Sequence, residues 1–180
     1  ILSANYIAFS LKDKFKVLYK GENNFVAHEC ILDFRDLKTR VGLSVNDIAK
    51  RLIDYSFHAP TISWPVPETI MIEPTESESL TELDRFCEAM LLIAEEINEI
   101  ENNIVLRNNN LISNAPHTIK ELISGKWNYP YSKEQASFPY RTNSNIKFWS
   151  SVSRINNAYG DRNLICSCPS IQDLEDINSI

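Results

Sequence analysis

Residues 61–97, TISWPVPETIMIEPTESESLTELDRFCEAMLLIAEEI, decide the fold, because here two extended runs pass directly into the strongest helical pattern of the chain. Residues 61–66 and 69–72 are rich in β-branched and aromatic side chains, as strands are. Pro65 and Pro67 divide the two runs. A proline removes a ladder donor, so this seam is an edge strand or a sharp connection. Ser79 and Glu82 then have the spacing of a capping box. Behind that cap, Leu83, Phe86, Cys87, Met90, Ala94 and Ile97 recur every three or four residues and trace one helix face. The pattern fades in the Asn-rich stretch 102–110, which reads as a loop.

Working upstream, residues 25–34 (FVAHECILDF) and 16–20 read as strands. In the longer run Val26, His28, Cys30, Leu32 and Phe34 share the drier face, which predicts that His28 points inward. Gly42 marks a turn. Ser44 and Asp47 form a second capping box, ahead of a stripe of Val45, Ile48, Ala49 and Leu52. At the start, Ile1, Leu2, Tyr6, Ile7, Phe9, Leu11 and Phe15 have near-helical spacing from the first position, so we expect a helix already under way and a chain cut from a longer protein. The resulting order of helix, two strands, helix, two strands and helix predicts an α+β layer over residues 1–110.

Residues 111–180 have a different character. Short helices are expected at 117–124 and 132–137, and the rest is irregular. Yet Trp127, Tyr129, Tyr131, Phe138, Tyr140, Phe148, Trp149 and Tyr159 all lie there. So many rings do not stay in water, so we expect this extension to wrap the preceding layer, a partner domain or a second subunit.

Composition removes several function classes. Four glycines in 180 residues, at Gly21, Gly42, Gly125 and Gly160, are too few and too scattered for a dinucleotide fingerprint or a phosphate-cradling loop. A net charge of -6 without a Lys/Arg cluster argues against nucleic acid as a partner. No apolar run has the length of a membrane helix, and the first residues lack a signal-peptide layout. Four cysteines do not make a disulfide scaffold, which points to a reducing compartment.

Reactive chemistry is sparse. There is no Gly-x-Ser-x-Gly elbow, and none of His28, His58 and His117 has a partner at a telling spacing. His28-Glu29 lacks the second histidine of a zinc helix, so we assign no metal. Cys166 and Cys168 are either plain thiols near the C-terminus or include a redox-sensitive thiol whose partner lies elsewhere. In 72-IEPTESE-78, three carboxylates and two hydroxyls crowd a strand-to-helix seam. Glu76 and Glu78 suit a helix N-terminus. Glu73 follows an apolar strand and reads as a buried or cleft-facing group.

The blocks AHECILDFRDLK, RLIDYSFHAPTISWPVPETIMIEPTESES, ELDRFCEAM, NAPHT, YSKEQASFPY and KFWSSVSRINNAYGDRNLICSCP together resemble the C-terminal part of the glycine decarboxylase family, the P-protein of the glycine cleavage system. The resemblance runs in order from Ile1 to Pro169. It implies the small C-terminal domain of a fold-type I pyridoxal-phosphate enzyme. Such an enzyme decarboxylates glycine and passes the aminomethyl group to the lipoyl arm of the H-protein, with the cofactor ring as electron sink. It further implies that the Schiff-base lysine lies upstream in a glycine-rich loop, so that this chain holds no catalytic residue and is inactive alone. His58, Thr61, Glu73, Thr75, Glu76 and Ser77 would line access for glycine or the lipoyl arm. Cys166 and Cys168 would be possible redox thiols. The implied partners are the lipoylated H-protein and the remainder of the P-protein, in a dimer of one or two kinds of subunit. The implied compartment is the bacterial cytoplasm, or the mitochondrial matrix in a eukaryote. The alternative is a stand-alone binding or regulatory module derived from that enzyme.

Overall fold

In the computed structural model, residues 1–139 and 147–165 are described. Four strands, β1 (Lys16–Leu18), β2 (Cys30–Asp33), β3 (Thr61–Ile62) and β4 (Thr69–Ile72), form one antiparallel sheet in the order β1-β2-β4-β3. Cys30 pairs with Ile72 and Leu32 with Ile70, so these four share a face. All four are buried, and with Val17 they form the sheet side of the core.

Helices α1 (Leu2–Leu11), α2 (Leu37–Val41), α3 (Val45–Asp54) and α4 (Leu80–Glu101) supply the opposing layer. The longest, α4, packs against α1, α2 and α3. It therefore buries more than a single stripe: Ala89, Ile93 and Ile100 are out of water together with Leu83, Phe86, Cys87, Met90 and Ile97. Ser79 caps α4 by accepting from the Glu82 amide at 3.2 Å. The other half of the expected box is missing, because the Glu82 carboxylate turns to Arg85. In α3 both halves of the Ser44–Asp47 box are present. Gly42 ends α2 with φ of 79°, a left-handed conformation that suits glycine.

Three strands are shorter than their sequence pattern predicts. Residues 25–29 leave the sheet because the Asn5 side chain clamps Val26, donating to its carbonyl at 2.8 Å and accepting from its amide at 2.9 Å. His28 consequently sits outside the strand, and its side chain is 74% exposed rather than inward. β1 stops where Tyr19 takes a positive φ of 52°, and β3 stops where Ser63 takes 56°.

Beyond residue 110, α5 (Leu111–Asn114), α6 (Ile119–Ile123), α7 (Lys133–Ser137) and α8 (Asn157–Arg162) are short. The first three begin at capping boxes on Asn110, Thr118 and Ser132. α5 packs on α3 and α4. The aromatic Tyr140 and the thiols Cys166 and Cys168 lie outside the described residues.

Candidate functional site

The chain leaves α3 through Phe57 and His58, enters β3 at Thr61, returns along β4 and reaches Glu73 before α4 begins. These steps enclose a cleft of about 420 Å³ between the end of the sheet and the first turns of α4. Ile7, Phe57, Met71, Ile72, Leu83 and Phe86 form its apolar floor. The polar lining is His58, Thr61, Glu73, Glu78 and Glu82.

One wall is held rigidly. The Arg85 guanidinium lies 3.7 Å above the Phe57 ring, donates to the Tyr55 carbonyl at 3.0 Å and pairs with Glu82. That pairing keeps the Glu82 carboxyl below its usual range. Phe57 in turn meets Phe86 edge-on, with centroids 5.3 Å apart. At the other wall His28 approaches Glu73 (3.9 Å) and Glu29 (2.9 Å).

Of the six residues read from sequence, His58, Thr61 and Glu73 come together in this cleft. Thr75, Glu76 and Ser77 are exposed in the turn beyond it and do not line it; there the Thr75 and Ser77 hydroxyls bond each other at 2.7 Å. Among the described residues, no lysine or cysteine lines the cleft, and no cluster of His, Cys, Asp and Glu could hold a metal ion. Cys30 and Cys87 are in the core, where burial pushes their thiols up to about 12 and about 11. The cleft can orient and hydrogen-bond a ligand. Among the described residues its lining includes no lysine amine for a Schiff base, so these residues do not by themselves fit pyridoxal phosphate.

A second polar cluster is not apparent from residue spacing. Arg51 on α3 is fully buried, and every N–H of its guanidinium is used. It binds Glu96 through Nε and Nη2 (2.9 and 2.6 Å), Asp54 at 3.0 Å, and the carbonyls of Gln135 and Ala136 at 3.2 and 3.3 Å. Burial works to lower its pKa, but Glu96 and Asp54 outweigh that and hold the guanidinium above its ordinary value. Asp54 also accepts from the backbone amide of His117 and contacts its Nδ1, both at 2.8 Å. The other ring nitrogen, Nε2, meets the Tyr131 hydroxyl at 2.8 Å, so the imidazole is held from both sides. Trp127, Tyr129 and Tyr131 enclose the imidazole. Lys147 donates to the Asp54 carbonyl and is lowered by burial to about 8. The sequence signal for this cluster is slight: Arg51 and Asp54 stand three apart, beside the apolar stripe of α3.

A small α+β domain with an open cleft lined by His58, Thr61 and three glutamates is the class of protein these features define. Residues 1–117 match the family described as glycine dehydrogenase, C-terminal domain, and the chain belongs to that family. It is 61% identical over 180 residues to a glycine dehydrogenase (decarboxylating) of Prochlorococcus marinus (strain NATL1A), covering 100% of this chain and 19% of that protein. The corresponding protein of Nostoc sp. is 59% identical over 168 residues, which is 93% of this chain and 17% of the relative. A mitochondrial glycine dehydrogenase (decarboxylating) of Dictyostelium discoideum is 54% identical over 175 residues, 97% of this chain and 18% of the relative. The chain thus spans about a fifth of the length of the relatives it matches.

Proposed function

We propose that this chain acts as the C-terminal domain of a glycine dehydrogenase (decarboxylating) and that its cleft lines the approach to the reacting centre. The observation that carries the reading is the meeting of His58, Thr61 and Glu73, drawn from the entry to β3 and the exit from β4, over one apolar floor. In the whole enzyme, glycine is decarboxylated and its aminomethyl group is passed to the lipoyl arm of the H-protein. Pyridoxal phosphate, held by the rest of a fold-type I polypeptide, supplies the electron sink. The contribution of this chain is positional: an apolar floor suits the methylene stem of a lipoyl arm, and the polar lining suits small polar groups. The whole enzyme is a dimer of one or two kinds of subunit, in the bacterial cytoplasm or the mitochondrial matrix.

The division we propose is a small domain over residues 1–110 and a C-terminal extension over 111–180, which packs on that domain or on a partner domain or subunit and whose described part (111–139 and 147–165) meets the domain. The bonds from Arg51 to residues 135 and 136, and from Asp54 to His117, support that division of roles. Thr75, Glu76 and Ser77 belong to the outer approach, and Cys166 or Cys168 serves as a redox thiol. Equal activity of the oxidised and reduced whole enzyme would remove the thiol assignment.

The test is made in the full-length enzyme. Glu73→Gln and His58→Ala should each lower glycine turnover or raise the KM for H-protein by roughly tenfold, the scale of a lost positioning contact. Thr75→Ala should have a smaller effect. Unchanged kinetics in both cleft variants would refute the assignment.

A further inference from the structure

We propose that the groove between α1 and residues 20–25 is a docking surface for an acidic, apolar-centred segment of the polypeptide outside these 180 residues. Three observations carry this. First, α1 is apolar on two sides. Ala4, Ile7, Ala8 and Leu11 face the core, whereas Leu2 and Phe9 point into water, 85% and 69% exposed. Leu2 and Phe9 thus give α1 a second apolar strip on the side away from the core, and exposed apolar surface of this kind marks an interaction site. Second, the Asn5 clamp on Val26 sets Phe25, 63% exposed, across from Phe9. The two rings flank a groove of about 740 Å³ floored by Ala8, Phe15 and Val17. Third, the rim is basic in a chain of net charge -6. Lys12, Lys14, Lys16 and Lys20 all line it, with Asp13 as the carboxylate among them.

Lys16 is partly engaged by Asp33 at 3.4 Å, and Lys12 covers the Phe9 ring at 3.7 Å. Among the described residues, no carboxylate pairs with Lys12, Lys14 or Lys20. The complementary occupant is an aliphatic or aromatic side chain flanked by Asp or Glu. The occupant proposed is in the rest of the polypeptide, by charge complementarity and because the Prochlorococcus relative extends well beyond the matched stretch, which is 19% of it. The proposal does not depend on the cleft reading.

Hydroxyl-radical footprinting of the native full-length polypeptide tests it without any substitution. Phe9 and Phe25 should be oxidised roughly tenfold more slowly than after unfolding, as for side chains withdrawn from water. Raising the salt from about 0.1 M to about 1 M shortens the screening length from about 10 Å to about 3 Å and should speed their oxidation. The double substitution Lys12→Glu with Lys20→Glu should do the same, while Lys38→Glu on α2 should not. Native oxidation as fast as in the unfolded chain would overturn the proposal. So would protection that disappears on dilution as the mass halves, which would place a second copy in the groove. Protection gained only on adding another protein would assign the groove to a separate partner. Protection indifferent to both salt and charge reversal would exclude an acidic occupant.

Discussion

At the scale of single residues, the described chain separates charges buried in the structure from charges that line the open cleft. Arg51 is the first kind. Removing it strands Asp54 and Glu96 in a dry environment, so Arg51→Ala should cost about 3–5 kcal/mol in urea unfolding. A bulky apolar replacement paired with neutral partners should recover part of that loss. Lys147 behaves oppositely with pH. Its folded-state value of about 8 lies below the unfolded value, so between these two pH values the unfolded chain binds the extra proton. Stability from this group is therefore lowest below about pH 8 and rises as pH increases toward the unfolded value. Lys147→Met should flatten that rise in a pH series of unfolding curves. Cys30 and Cys87 should resist a thiol reagent at pH 8 in the native protein and react on unfolding, because burial disfavours both thiolates.

At the scale of elements, what could be read in advance was whatever local chemistry dictates. The α4 cap, the α3 capping box and β4 follow from Ser79, from Ser44 with Asp47, and from the run TIMI ahead of the IEPTESE seam. Ser79→Ala should accordingly cost about 1 kcal/mol, measurable as a shift in the urea midpoint. Where a distant side chain intervened, local reading failed. The alternation through residues 25–34 continues past the point where the Asn5 clamp takes Val26 out of the sheet, and His28 is exposed for that reason. The cleft was half legible. Glu73 stands out locally because it follows an apolar strand, whereas His58 and Thr61 are named only through the family resemblance, and Glu78 and Glu82 read as helix-start residues. His117 could not be singled out, because its partners Asp54 and Tyr131 are 63 and 14 residues away in sequence.

At the scale of the whole molecule, a domain with a well-packed core carries a cleft and a groove that the described residues leave open. If the cofactor belongs to the rest of the polypeptide, the isolated 180-residue chain should show no pyridoxal-phosphate absorbance and no glycine–bicarbonate exchange. Either signal would place the cofactor wrongly in our reading. The last turn of α3 ties these levels together. Asp54 grips His117 from the C-terminal extension, and three residues later the chain becomes the Phe57–His58 wall of the cleft. Ser56, between them, accepts from the Phe148 amide at 3.0 Å. One short stretch of backbone is thus a shared abutment for two spans. A push on the extension is a push on the cleft wall, and a lesion far from His58 can be felt there as misalignment without touching any group that meets a ligand.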